Sequence, residues 1–390
     1  MPLSDVNITL ENGNLGRVTT TSDGVAGLIL TGKAIPGKTE LNKVYQLSSS
    51  RDLVTRGITA ENNPLAYKDV TAFYEKAGDG AELYLLVVAE ATTLTQACSS
   101  EASSPLRKLI DYARGRIRLV GINRISPAEY VPDTEASGID NDVITAASAA
   151  QDLANNYAKQ VSPFRVLLPA VAWTGSTEEL FKPREGSYNR VAIVMAADTL
   201  TSAAIGQILG RAASIPVNQS IARVKSGVIA ATGYLMNGKT PEENAGMLEA
   251  LNDAGYIIYR TFTAKNGYYL NDDCMAAPLS DDYSNLNLGR VIDKAIILAY
   301  TAYIDEIQEN VLVESGGKLP QYLCTSFEGN INSAIATNMK GETSDFKSFI
   351  DPDQNILQSS RMNVSCKIVP NGILREINVN IGFANPAIKQ

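Results

Sequence analysis

Five nearly unbroken apolar runs constrain this chain more than any other feature. They are Val25-Ala-Gly-Leu-Ile-Leu30, Leu83-Tyr-Leu-Leu-Val-Val88, Ile117-Arg-Leu-Val-Gly-Ile122, Phe164–Val171 and Val191–Ala196. A strand with one wet face alternates polar and apolar residues, whereas these runs ask for cover on both faces. Between them lie segments of helical period: Pro64 to Lys76, with Leu65, Val70, Phe73 and Tyr74 on one stripe, then residues 105–115, 143–159 and 201–213. Strands alternating with helices predict an α/β fold with a mainly parallel, helix-covered sheet. A short strand, Val44–Ser48, and a short helix, Ser50–Gly57, precede the first long helix, which Gly78 stops. Two further strands, Val228–Ala231 and Tyr256–Thr263, are predicted to bracket a helix over 241–253.

After Asp281–Ser284 the pattern changes. Leu288, Val291/Ile292, Ala295, Leu298/Ala299, Ala302/Tyr303, Ile307 and Val311 recur every three or four residues, while Arg290, Asp293, Lys294 and Glu306 fall off that stripe. A second helix is predicted over about 328–339, followed by a proline-broken loop, Phe349–Leu357. Two alternating runs close the chain, Met362–Val369 and Ile373–Phe383, separated by Pro370-Asn371-Gly372. Asn-Gly between alternating runs predicts a β-hairpin, because the type I′ turn needs positive φ at both central residues. In the last run Ile377, Val379, Ile381 and Phe383 alternate with Glu376, Asn378, Asn380 and Gly382. At the other terminus Val6, Ile8 and Leu10 alternate in a lone strand with no adjacent hairpin partner, so its ladder must be supplied from elsewhere.

The C-terminal order of helix, helix, GETSDFKSFIDPDQN loop and IVPNGILREINVNIGF hairpin resembles the C-terminal domain of contractile phage tail sheath proteins. The opening GVAGLILTG, VYQLSSSRDLVTRGI and NPLAYKDVTAFYEKAGDGAELYLLVV is similar to the start of that family's large α/β domain. The resemblance covers about residues 24–383. It implies α+β organisation overall: a strand-exchange arm (1–20), a large α/β sheath domain (21–280), a smaller C-terminal α+β domain with a β-hairpin (281–375) and a terminal strand or arm (376–390). It further implies a structural subunit that stacks in hexameric rings as a helical polymer around a tail tube protein. Baseplate and tail terminator proteins would be its other partners. Contraction would drive the tube through a target envelope. Val6, Ile8, Leu10, Ile377, Val379, Ile381 and Phe383 would be subunit-interface residues, in a virion or phage-tail-like particle assembled in the host cytoplasm, with no cofactor.

Composition agrees with that direction. The 390 residues contain no histidine, which removes histidine general bases, Ser-His and Cys-His nucleophile pairs and histidine metal ligands. A net charge of −8 without a Lys/Arg cluster argues against nucleic acid as a partner. No apolar run reaches the ~18 residues of a membrane span, and Met1-Pro-Leu-Ser-Asp-Val6 shows no signal-peptide pattern. The four cysteines, Cys98, Cys274, Cys324 and Cys366, form no CxxC pair and are expected to be reduced.

One stretch points elsewhere. Gly233-Tyr-Leu-Met-Asn-Gly-Lys239-Thr240 fits the P-loop pattern, and Val191–Asp198 resembles a strand ending in a Walker B aspartate. Against it stand the bulky Tyr-Leu-Met interior and Pro241, which deletes an N–H where a phosphate would sit. Thr240-Pro241-Glu242-Glu243 also reads as a helix-capping box. Asp281-Asp282 and Asp351-Pro-Asp353 read as turn acids, and Trp173 as a core or interface anchor. Two alternatives stay open: a nucleotide-binding enzyme using residues 233–240, and a non-contractile structural or surface-layer protein.

Overall fold

A computed structural model describes residues 22–383. The first half runs β1 (Ala26–Gly32), β2 (Val44–Leu47), α1 (Asp52–Arg56), α2 (Pro64–Ala77), β3 (Leu83–Ala89), α3 (Leu94–Cys98), α4 (Pro105–Tyr112), β4 (Leu119–Asn123), α5 (Asn141–Lys159), β5 (Arg165–Pro169) and β6 (Val191–Val194). Then follow β7 (Ala196–Ala197), α6 (Ile205–Ser214), β8 (Tyr234–Leu235), α7 (Leu248–Ala254), β9 (Tyr259–Arg260), β10 (Tyr269–Leu270) and α8 (Leu286–Tyr303). The chain continues through α9 (Gln321–Asn338), β11 (Thr343–Ile350), α10 (Ile356–Ser359) and β12 (Val364–Pro370). Packing separates the described chain into two units, divided between Glu309 and Asn310.

The first unit is built on a six-stranded sheet of order β2-β3-β1-β4-β5-β6. Only β2 runs antiparallel, against β3; the remaining neighbours are parallel. Each of the five apolar runs supplies one of its strands. Because side chains alternate across a strand, β1 feeds two cores. Ala26, Leu28 and Leu30 pack with Val70 and Phe73 of α2 and Ile205, Ile208 and Leu209 of α6. Val25 and Ile29 pack on the opposite face with Leu94, Leu106, Leu109, Val143 and Ala147 of α3, α4 and α5. Each fully buried Leu or Ile contributes about 1.5–3 kcal/mol. Proline opens α2, and Gly57 ends α1 in the left-handed region, as their sequences predict.

The helices α2 and α6 meet without side chains between them at two points. A Cβ on Gly206 would collide with the carbonyl oxygen of Asp69, and one on Gly210 with that of Phe73.

Several expectations are corrected. The helix over 241–253 begins only at Leu248, and Tyr256–Thr263 and Val228–Ala231 shrink to β9 and a bridge from Ala230 to Tyr268. The stripe of α8 also behaves differently from its periodicity. Helix α8 stops at Tyr303, before Ile307 and Val311, and Tyr300 is exposed. Val291 and Ala295 of the stripe are buried as expected, while Ile292, Leu298 and Ala299 of the stripe are only partly covered; the off-stripe charges Arg290 and Asp293 are buried as well. The reason is the surface that receives them. Arg165, at the start of β5 and only 1% exposed, donates from Nε to Asp293 Oδ2 at 2.8 Å. Arg190 donates to the other carboxylate oxygen at 3.0 Å. The Arg165 guanidinium also donates to the Asn189 and Gly289 carbonyls at 2.7 and 2.9 Å. A Cβ at Gly289 would overlap that guanidinium. Lys294 pairs with Asp23 at 2.8 Å, fastening the start of the described chain to the same helix.

A second buried cluster lies past the C-terminal ends of β1 and β4. Lys68 of α2 pairs with Asp198 at 2.5 Å and with its neighbour Asp69 at 3.0 Å. Its ammonium also donates to Ser202 Oγ at 3.0 Å, and Asn123 donates to Asp69 at 2.8 Å. Burial, reinforced by the negative charge of Asp69 and opposed by Lys68, pushes the Asp198 carboxyl up to about 6.

Both clusters make measurable predictions. Asp293→Ala leaves two arginines facing each other, one fully buried, and should cost ~3–5 kcal/mol in denaturant unfolding; a loss below ~1 kcal/mol would contradict the packing described. Asp198 binds its proton more tightly folded than unfolded. Its contribution to stability is therefore full below its ordinary value near 3.8 and lost as pH rises through about 6. Thermal midpoints of Asp198→Asn minus the unsubstituted protein should rise between pH 4 and 7, and a flat difference would refute the assignment.

Candidate assembly interface

The second unit is a small α+β layer. Cys324, Phe327, Ile331, Ile335 and Met339 form the buried stripe of α9 at three- and four-residue spacing, and this stripe faces β11. Ser348 donates to Asn332 at 2.9 Å, and the Ile350 amide donates to the Glu328 carboxylate at 2.7 Å. Strand β11 pairs antiparallel with β12, Phe346 opposite Ile368 and Ile350 opposite Val364. The sheet has no third strand among the described residues. Helix α9 covers β11 more than β12, so Cys366 of β12 remains exposed although it lies on the α9 side.

The hairpin of this unit is therefore β11–β12, and the expected pairing of Met362–Val369 with Ile373–Phe383 is not formed. Neither Asn371 nor Gly372 takes the positive φ that a type I′ turn requires. The Asn371 side chain is used otherwise, donating to the Gly341 carbonyl at 2.9 Å and accepting from Ser344 Oγ at 2.9 Å. It clamps the end of the ribbon, and the chain leaves instead of turning back. Sequence reading also placed no strand over Thr343–Ile350. The alternation of Phe346, Ser348 and Ile350 with Lys347 and Phe349 was the available signal, obscured by the Asp351-Pro352 break.

Beyond Asn371 the described chain has no helix or strand. Ile377 is 74% exposed, Val379 70%, Ile381 92% and Phe383 fully exposed. Four apolar side chains at period two, all in water, are a strand face without a sheet. An open sheet edge in the same unit has the complementary need, since unpaired N–H and C=O groups on an edge favour addition of another strand. Val6, Ile8 and Leu10 lie outside the described residues.

The P-loop-like stretch is a tight turn. Leu235 and Lys239 bond across it at 2.8 Å, Gly238 donates to the Leu235 carbonyl at 2.8 Å, and β8 pairs antiparallel with β7. The Thr240 amide donates to Glu243 at 2.7 Å, and the Glu243 amide to Thr240 Oγ1 at 3.3 Å, which is the capping box. Residues 241–244 form turns and a 3-10 turn of helix follows only at Ala245–Met247, so no α-helix opens directly after the loop to present its N-terminal amides to a phosphate. Asp198, the Walker-B-like residue, is held by Lys68. Trp173 is buried and donates to the Ser176 carbonyl at 2.8 Å. Asp281 accepts from the Tyr283 amide at 2.7 Å. Asp351 accepts from the Asp353 amide at 2.9 Å, and Asp353 pairs with Lys318 at 2.6 Å. Among the described residues no group of His, Cys, Asp or Glu could hold a metal ion, and no helix is long and apolar enough to cross a membrane.

The fold is that of sheath proteins. The helical sheath of the anti-feeding prophage in its contracted state superposes with a TM-score of 0.61 at 14% identity, covering 98% of this chain and 99% of that one. The sheath complex of an extracellular contractile injection system, PVC, also contracted, gives 0.58 at 12% identity, covering 98% of each chain. The sheath tail protein of Desulfitobacterium hafniense gives 0.50 at 10% identity, covering 94% of this chain and all of that one. No curated protein sequence matches. Two sequence-family models do, "DUF2586, N-terminal domain" over residues 3–274 and "DUF2586, C-terminal domain" over 282–388. With nearly its whole length matched, the chain belongs to the DUF2586 family.

Proposed function

We propose that this protein is the structural subunit of a contractile tail sheath. Subunits would stack as hexameric rings around a tail tube in a phage-tail-like particle assembled in a host cytoplasm, and would contract to drive the tube through a target envelope. Baseplate and terminator proteins would close the two ends. The observation that carries the reading is the unpaired, water-exposed alternation Ile377–Phe383 beside the open ribbon β11–β12, in a chain that superposes over 98% of its length on sheath subunits. Strand addition would satisfy both: main-chain bonds supply affinity, and alternate side chains supply specificity. The terminal segments 1–20 and 376–390 would act as exchanged arms, with Val6, Ile8 and Leu10 filling a neighbour's ladder. Domains over 21–280 and 281–375 would move as bodies tethered by those ladders.

Such a subunit stores work in its lattice and needs no bound nucleotide. Electron micrographs of the purified protein should show hollow cylinders; monodisperse particles or flat sheets would favour the alternatives. Val379→Pro removes one N–H at a position with no ladder among the described residues. Its circular dichroism and thermal midpoint should match those of the unsubstituted protein while cylinders disappear, and normal cylinders would refute the strand assignment. Lys239→Ala, on an exposed turn, should change stability by no more than about 0.5 kcal/mol and leave assembly intact. ATP binding abolished by that substitution would restore the nucleotide reading.

A further inference from the structure

The outer face of the β11–β12 ribbon breaks a rule of sheet stability. Lys347 and Lys367 stand directly opposite each other, where like charges destabilise a strand pair. Lys347 has Asp345 at 3.5 Å, and its side chain is 79% exposed. Lys367 has no ion-pair partner among the described residues. Two residues along in either direction, the same face carries Phe349, 60% exposed, and Val369, 50% exposed. Asp345 stands opposite Val369 and Ser365 opposite Phe349, so the face carries one apolar side chain on the rung either side of the lysine pair, at the strand's two-residue spacing of about 7 Å per step.

The segment that joins the two units carries the complementary pattern. Between Lys294 and Lys318 the sequence has no Lys or Arg but contains Asp305, Glu306, Glu309 and Glu314. All four are exposed, and none has an ion-pair partner among the described residues. Past Glu306 the segment forms neither helix nor strand before α9. The chain turns at Ile307–Gln308, with Gln308 at φ +70°; drawn out as a strand, the segment would present Ile307, Glu309 and Val311 on one side, apolar, anionic, apolar at the same spacing.

We propose that the outer face of the ribbon docks Ile307–Val311 of a second copy of this chain, with Glu309 set between Lys347 and Lys367. Lys367, which has no ion-pair partner among the described residues of the isolated subunit, then gains a counter-charge only in the assembly. Ile307 and Val311 cover Phe349 and Val369. This contact uses the face of the ribbon, whereas strand addition uses its edge, so the two occupy different surfaces. The inference rests on the reading that the chain self-assembles.

A charge-swap cycle on the full-length chain tests it. Lys367→Glu creates an opposite-charge pair with Lys347, so the dilute subunit should melt no lower than the unsubstituted protein. The concentration needed for polymerisation, followed by light scattering and sedimentation, should nevertheless rise about tenfold, as for loss of a close interfacial charge pair. Glu309→Lys should raise it similarly. The double variant should return to within about threefold of the original, and the single variants should lose the salt dependence of assembly. Absent rescue in the double variant would overturn the assignment of Glu309. Unchanged assembly of Lys367→Glu would overturn the site while leaving the sheath reading standing, whereas failure of the unsubstituted chain to polymerise would refute that reading itself. Amorphous aggregation of Lys367→Gln with normal polymer thresholds would mark the lysines as edge protection only. Coupling of the two positions in the melting of dilute monomer would place the contact within one chain. Either result would overturn the proposal.

Discussion

Asp293 between Arg165 and Arg190 is the interaction on which the rest of the first unit depends. An apolar seat for α8 would be non-directional, since burial free energy follows area and tolerates sliding. A carboxylate held by two guanidinium groups at 2.8 and 3.0 Å is directional. It fixes both the rotation and the register of α8 against the N-terminal edge of β5. Gly289 lets the helix backbone come within bonding distance of Arg165, and Lys294 draws in Asp23. The consequence is a helix rolled toward its charged flank. Arg290 and Asp293 are buried alongside Leu286, Val291 and Ala295, while Ile292, Ile296 and Ile297 are only half covered.

That roll marks the limit of what periodicity shows. The strands β1, β3, β4, β5 and β6 were legible because cover on both faces forces continuous apolar runs, which few other structures produce. Periodicity in α8 was equally plain, but a period does not say which flank faces inward when the receiving surface offers a buried arginine. The final hairpin failed for a related reason. Asn-Gly permits a type I′ turn, but Asn371 bonds to Gly341 and Ser344, contacts set by tertiary structure rather than by the dipeptide. The turn and capping-box bonds of the P-loop-like string were legible because their determinants are local: Pro241 and the Thr240–Glu243 pair act within a few residues of the loop.

The second unit is incomplete by ordinary standards. One helix over two strands is a thin layer, and a two-stranded ribbon is marginal in water by itself. The backbone groups on its open edge, the uncovered inner side of β12 at Cys366 and the exposed run after Asn371 are all unfinished in the same place. Among the described residues none of the chain's own segments covers them, and on the proposed sheath reading they would be completed by other chains.

The backbone contacts of Gly206 and Gly210 with α2 carry a mechanical consequence. Long side chains between two helices act as compliant spacers, able to change rotamer and let the helices slip under load. Here the α6 backbone bears directly on the carbonyls of Asp69 and Phe73, so there is no spacer to deform. The sheet with α2 and α6 should behave as a stiff block that passes on an applied force with little internal yield. Deformation is then left to segments that lack such contact, among them residues 307–318 and 371–383.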